Sequence, residues 1–192
     1  MENRDYFFEK IKNRNVNFLE YDIDPLAPDY SVGFLRFYCS FMIWNMGHYR
    51  FENDFGAIDL LNEEEKKIAL SLIERNFKNE LLTESFLFTL QFFKDENEIE
   101  AFVKNELLEC CNKSLFDPYI TILKCMKEQR MEVDIDFKEA IQIVLEKGTP
   151  EHIEYLLWSS ETIIGEEYVE LCNRFRDNEN IEIREAVKKI LK

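Results

Sequence analysis

Two histidines and five cysteines are the side chains in this 192-residue sequence best suited to acid–base, nucleophilic or metal chemistry. His48 and Glu52 would meet at i, i+4 spacing if one helix carried both, the pairing a general base needs. No nucleophile or third orienting group accompanies them, so His48 reads as a helix-end residue near orphan carbonyls. His152 falls in the first turn after Pro150, beside Glu151. One histidine with scattered carboxylates supplies too few ligands for a catalytic zinc. Neither histidine has Glu three positions before it, which excludes a di-iron Glu-x-x-His pattern, and no paired-carboxylate glycosidase arrangement can be assembled. Cys110 and Cys111 are adjacent, so on a helix they point about 100° apart and form neither a zinc knuckle nor a redox pair. With Cys39, Cys125 and Cys172 they read as reduced, space-filling core residues. Glu63, Glu64 and Glu65 together suit a helix N-terminus, where the backbone dipole favours acids. The expectation is a protein with no catalytic residue, no cofactor and no metal.

Charge points the same way. Lys plus Arg number 24 and Asp plus Glu 39, a formal net charge of −15, the wrong sign for a phosphate backbone or an anionic membrane. The suited partner is a basic protein. With 46% hydrophobic residues, 33% charged, and only 5 Gly and 4 Pro, the composition excludes disordered, collagen-like and linker-rich classes. The acidic first residues lack a basic start and an apolar stretch, which implies no export and a cytoplasmic location. The sequon Asn112-Lys-Ser114 is then fortuitous.

The elements that must position any site read as helix after helix. A short helix is expected over 3–14, then a loop over 17–29 imposed by Pro25 and Pro28. Residues 31–51 crowd Phe34, Leu35, Phe37, Tyr38, Phe41 and Trp44 onto nearly every side, which demands a packed helix. Arg36 and Asn45 leave the apolar run too short for a membrane span. Beyond residue 62 the starts recur: Asn62 with Glu65, Thr83, Asn97 with Glu100, Asp117 beside Pro118, Asp136 with Glu139, Thr149 beside Pro150, and Asn180. Gly148 is placed to end a helix in the left-handed conformation, and Gly165 to open the helix carrying Val169, Cys172 and Phe175 on its apolar face. The alternation Met131-Glu-Val-Asp-Ile-Asp136 is an isolated extended connection, since one such piece cannot make a sheet.

Pro118 and Pro150 lie 32 residues apart, each opening a helix, a turn and a second helix, as in stacked antiparallel pairs. The run Asn180-Ile-Glu-Ile-Arg-Glu-Ala-Val187, ending Ile190-Leu191, resembles the second helix of a HEAT-like repeat: a polar cap, an isoleucine–arginine pair and a following alanine. A loose extension covers 62–192, although alanine is scarce and the pairs are shorter than the family's units of about 40 residues. The tetratricopeptide spacing fits no window. The resemblance implies an all-α fold in one domain over 1–192: an irregular HEAT-like α/α superhelix of stacked pairs over 62–192, with a Phe-rich helical cap over 1–61.

The site expectation is a surface. Glu166, Glu170, Asn173 and Asp177 should share an outward stripe, Glu139, Gln142 and Glu146 another, and stacking would join them into an acidic groove with Tyr155 and Trp158 as aromatic anchors, core packing being the rival place for Trp158. Small acidic chains of this build look like bacterial immunity proteins, which neutralise a cognate toxin by occluding its active cleft. That likeness implies a non-catalytic binding module for a basic toxin. The alternatives are a HEAT-like enzyme of the DNA glycosylase type, which the charge opposes, and a regulatory scaffold or adaptor.

Overall fold

The computed structural model describes residues 29–45, 58, 60–78 and 83–192, excluding the side chains of 39–45, 84–86 and 88. The expectations at residues 3–28 and at His48 and Glu52, and that for the Cys39 side chain, lie outside these. All regular structure among the described residues is helical: α1 (Val32–Asn45), α2 (Glu63–Asn76), α3 (Thr83–Leu90), α4 (Glu96–Asn112), α5 (Phe116–Glu128), α6 (Phe137–Lys147), α7 (Pro150–Ile164), a 3-10 turn (Gly165–Glu167), α8 (Tyr168–Asn173) and α9 (Ile181–Ile190). The chain divides into two compact units, Met1–Phe93 and Lys94–Lys192.

In the first unit α1 buries Phe34, Leu35, Phe37 and Tyr38 completely, as a helix apolar on nearly all sides must. Its start is tied to that of α2 through one acid. Glu65 is 2% exposed, and its carboxylate accepts from the Ser31 backbone N–H at 2.6 Å, the Ser31 hydroxyl at 2.8 Å and the Asn62 backbone N–H at 3.1 Å. Asn62 reciprocates by accepting from Glu65 N at 2.9 Å, which makes the expected capping box. A buried carboxylate is tolerable here because charge-assisted donors surround it. Thr83 Oγ1 donates to Phe77 O at 2.9 Å and sets the passage from α2 to α3.

The second unit is arranged about α7, which packs against α5, α6, α8 and α9, while α4 packs on α5. Its core takes Val103 and Cys110 from α4, Ile120, Ile122 and Leu123 from α5, Val144 from α6, Leu156 and Leu157 from α7, Cys172 from α8 and Val187 from α9. The caps at Asp136, Thr149–Pro150 and Asn180 occur where the sequence places them. Others differ. The box opening α4 is Asp95 with Glu98, bonded both ways at 3.0 and 2.9 Å, instead of Asn97 with Glu100. That earlier start keeps Ile99, Val103, Leu107 and Cys110 on one buried face. Asp117 is no cap but lies in the first turn of α5, whose N-cap is Leu115, because Ser114 at φ 56° stops α4 and returns the chain at once to helix. Ser114 N–H donates to Cys111 O at 3.2 Å and Leu115 N–H to Cys110 O at 2.8 Å, the paired bonds of a left-handed helix stop. Arg130, at φ 53°, ends α5 identically, with Arg130 N–H on Lys127 O and Met131 N–H on Met126 O.

The glycines exchange roles relative to the sequence reading. Gly148 has φ −76°, not a left-handed value. It is required for space, since a Cβ there would meet Val144 O at 2.6 Å and His152 Cβ at 3.2 Å in the tight α6–α7 turn. Gly165 is the positive-φ residue, with φ 59° and ψ −139°, and it both caps the end of α7 and begins the 3-10 turn that leads into α8. Three residues per turn in that segment reset the register, so α8 buries Leu171 and Cys172 while Val169 is left 41% exposed. Residues 131–136 form the expected irregular connection.

Glu65→Ala should cost about 3 kcal/mol in urea unfolding, because three donors lose a buried charged acceptor. Ser114→Gly and Arg130→Gly should each raise stability by roughly 0.5–1 kcal/mol. Gly165→Ala should lower it by about 1–2 kcal/mol through backbone strain alone, since no atom lies within 4 Å of its Cβ position.

Candidate functional site

The acids expected at the surface are there. Glu139 and Glu146 on α6, Glu166 in the 3-10 turn, Glu170 on α8 and Asp177 beyond it are all exposed. Glu146 accepts from Gln142 Nε2 at 2.8 Å along its helix. Tyr155 faces the interior side of α7 instead. Its hydroxyl lies 2.8 Å from Thr121 Oγ1, and the Thr121 proton is committed to Asp117 O at 2.9 Å, so the phenol is the donor and ties α7 to α5. Trp158 is not in the core: it is 50% exposed, with its indole N–H directed at Glu154 Oε1 at 3.4 Å.

Two adjoining clefts run beside α6. One, of about 280 Å³, is lined by Lys138, Ile141, Gln142, Glu170, Leu171 and Arg174 among others. Its neighbour, of about 480 Å³, is lined by Lys127, Ile135, Asp136 and Phe137. Lys138, Ile164 and Glu167 belong to both, and the Lys138–Glu167 ion pair at 2.8 Å bridges them. That pairing holds the Lys138 ammonium above its ordinary pKa. Lys127 Nζ sits 3.9 Å from the Phe137 ring centre. Bases and acids alternate along these walls, and of the expected acids Glu170 lines a cleft, whereas Glu139, Glu146, Glu166 and Asp177 lie outside both. The five acids are thus exposed, and of them Glu170 alone lines either of these clefts.

The residues that sequence reasoning passed over lie on α7. Glu151, Glu154, Trp158 and Glu161 follow 3-4-3 spacing, which confines them to an arc of about 80°, opposite the buried Leu156, Ser160 and Ile163. The signal was available in that spacing around a tryptophan.

Side chains with chemical potential elsewhere have structural occupations. His152 Nδ1 accepts from Thr149 N–H at 3.0 Å and lies 3.0 Å from the Thr149 hydroxyl. Its ring packs edge-on against Phe116, with centroids 5.4 Å apart. Its Nε2 is 3.7 Å from Asp117 Oδ1. The Nδ1 lone pair is spent on capping α7, where a base or ligand would need it free. Cys110, Cys125 and Cys172 are buried free thiols, and Cys111 is half-buried. Burial pushes the Cys172 thiol up, with Ser160 partly offsetting it. Among the described residues no group of three or more His, Cys, Asp or Glu could hold a metal ion, and no helix is long and apolar enough to cross a membrane. Comparison with known proteins finds no matching family model, no similar curated protein and no similar solved structure.

Tyr119 supplies a pH test. Burial, then the neighbouring Cys111, Glu139 and Cys110, push its phenol up to about 12 from 10.0. The native state keeps this proton where the unfolded state loses it, so the associated stability is complete below pH 10 and disappears as pH rises toward 12. Circular dichroism across that window should show Tyr119→Phe losing less stability than the parent chain.

Proposed function

We propose that this chain is a non-catalytic protein-binding module that engages a basic partner through its acidic helical surface, in the manner of an immunity protein occluding a cognate toxin. The single observation that carries this reading is Trp158: the largest side-chain type is left half-exposed on a helix face that also presents acids. Exposed tryptophans set among polar neighbours make the anchors of protein interfaces. The exposed carboxylates at Glu139, Glu146, Glu166, Glu170 and Asp177 supply the surrounding field, which would accelerate encounter with a cationic protein and select against anionic ones.

The fold reading belongs to the same proposal. Packing of α7 on both α5 and α9 joins alternate helices, the neighbour relation of stacked pairs in a HEAT-like α/α superhelix. In such an array successive pairs present one continuous face, and α6 and α8 carry the expected acids toward it.

Co-purification from cells that encode the protein, repeated with Glu166→Lys combined with Glu170→Lys, tests the binding. The expected result is a basic partner recovered by the parent chain, released as salt rises and lost from the double variant, whose expression would no longer protect cells against that partner. Recovery of a partner insensitive to salt and to charge reversal would sink the proposal.

A further inference from the structure

We infer that the outward stripe of α7 is an arginine-reading surface: a guanidinium from a basic protein segment stacks on the Trp158 indole while Glu154 and Glu161 bind its edges. This rests on the protein-binding reading and names the chemistry of the partner.

Several acids on the other helices have a basic partner one turn away: Glu63 with Lys66 on α2, Glu100 with Lys104 and Glu109 with Lys113 around α4, Lys124 with Glu128 on α5, and Glu185 with Lys188 on α9. The α7 sequence contains no Lys or Arg. Among the described residues no Lys or Arg reaches ion-pair distance of Glu151, Glu154 or Glu161 on the helix that the unit packs around. These carboxylates share their arc with a half-exposed indole, a large apolar surface left in water.

Geometry then selects the cation. Glu154 and Glu161 stand one turn to either side of Trp158, about 6 Å and about 4.5 Å along the axis respectively. A planar group lying on the indole face would find a carboxylate at each edge. Guanidinium is planar, stacks on aromatic faces and offers donors along more than one edge, whereas an ammonium is a compact point charge that cannot span two flanking acids while stacking. The Nε1–H directed at Glu154 restrains the ring, which reduces the entropy lost on stacking. Glu151 prolongs the stripe to about 15 Å, longer than one guanidinium, which favours a segment with basic residues on successive turns over free arginine. Nucleic acid and anionic lipid have the wrong sign.

The test titrates the full chain, by tryptophan fluorescence and calorimetry, with a short helix-forming peptide carrying arginines one turn apart, and with versions in which each arginine is lysine or citrulline. The arginine peptide should bind and perturb fluorescence in the parent chain but not in Trp158→Phe. The lysine version should bind about tenfold more weakly, and the citrulline version should not bind. Trp158→Ala should weaken the arginine peptide at least about tenfold, an amount within the range of an interface anchor. Glu154→Gln with Glu161→Gln should weaken it and flatten its salt dependence. Trp158 and Glu161 are exposed and Glu154 is half-buried, and an unchanged circular dichroism spectrum will confirm folding. Equal binding of the three peptides, an unaffected Trp158→Ala variant, or no binding of the arginine peptide would each overturn the inference. A cellular partner kept by Trp158→Ala but lost from Glu166→Lys/Glu170→Lys would overturn this stripe and leave the broader binding reading standing. Loss from neither variant would remove both.

Discussion

Burial of one side of α7 is the constraint on which the second unit depends. Four helices pack on it, and Leu156, Leu157 and Ile163 are removed from water almost entirely, each apolar side chain of that size contributing about 1.5–3 kcal/mol. Once those positions face the interior, helical geometry leaves the positions on the opposite arc no choice but solvent. The exposure of Trp158 therefore follows from the packing of its neighbours. The cross-helix bond from Tyr155 to Thr121 and the Thr149–His152 cap fix rotation and start point at the same end of the helix.

Helix boundaries are decided by where orphan backbone groups find partners. In the first unit one buried carboxylate serves the starts of α1 and α2 together, so neither helix can shift without stranding donors from the other. In the second unit the stops matter as much as the starts. Ser114 and Arg130 accept left-handed backbone so that α4 and α5 can end abruptly, which keeps the connections short and the helices in contact.

Charge is distributed unevenly between flanks, clefts and the outer face of α7. Glu100 and Glu109 on α4, Glu128 on α5 and Glu185 on α9 have lysines one turn away, and the clefts beside α6 mix Lys138 and Arg174 with Glu167 and Glu170. A surplus of negative charge in the sequence thus does not make every acidic position equivalent. Local pairing neutralises several of them, and among the described residues Glu151, Glu154 and Glu161 on α7 are among the acids with no Lys or Arg at ion-pair distance.

Composition and cap spacing alone were enough to read an all-helical chain, most of its helix starts, and the outward placement of Glu139, Glu146, Glu166, Glu170 and Asp177, because these depend on residue type and on a period set by local backbone geometry. Two misreadings were cases where neighbouring signals competed, Asp95 over Asn97 at the start of α4 and Ser114 displacing the Asp117 cap, and a third gave Gly148 the positive-φ role that Gly165 takes. Tertiary packing decided those by burying one register and not the other. It also decided that Val169 and Trp158 face water while Leu171 and Tyr155 turn inward, since a single helix has no inside until its neighbours cover one of its sides.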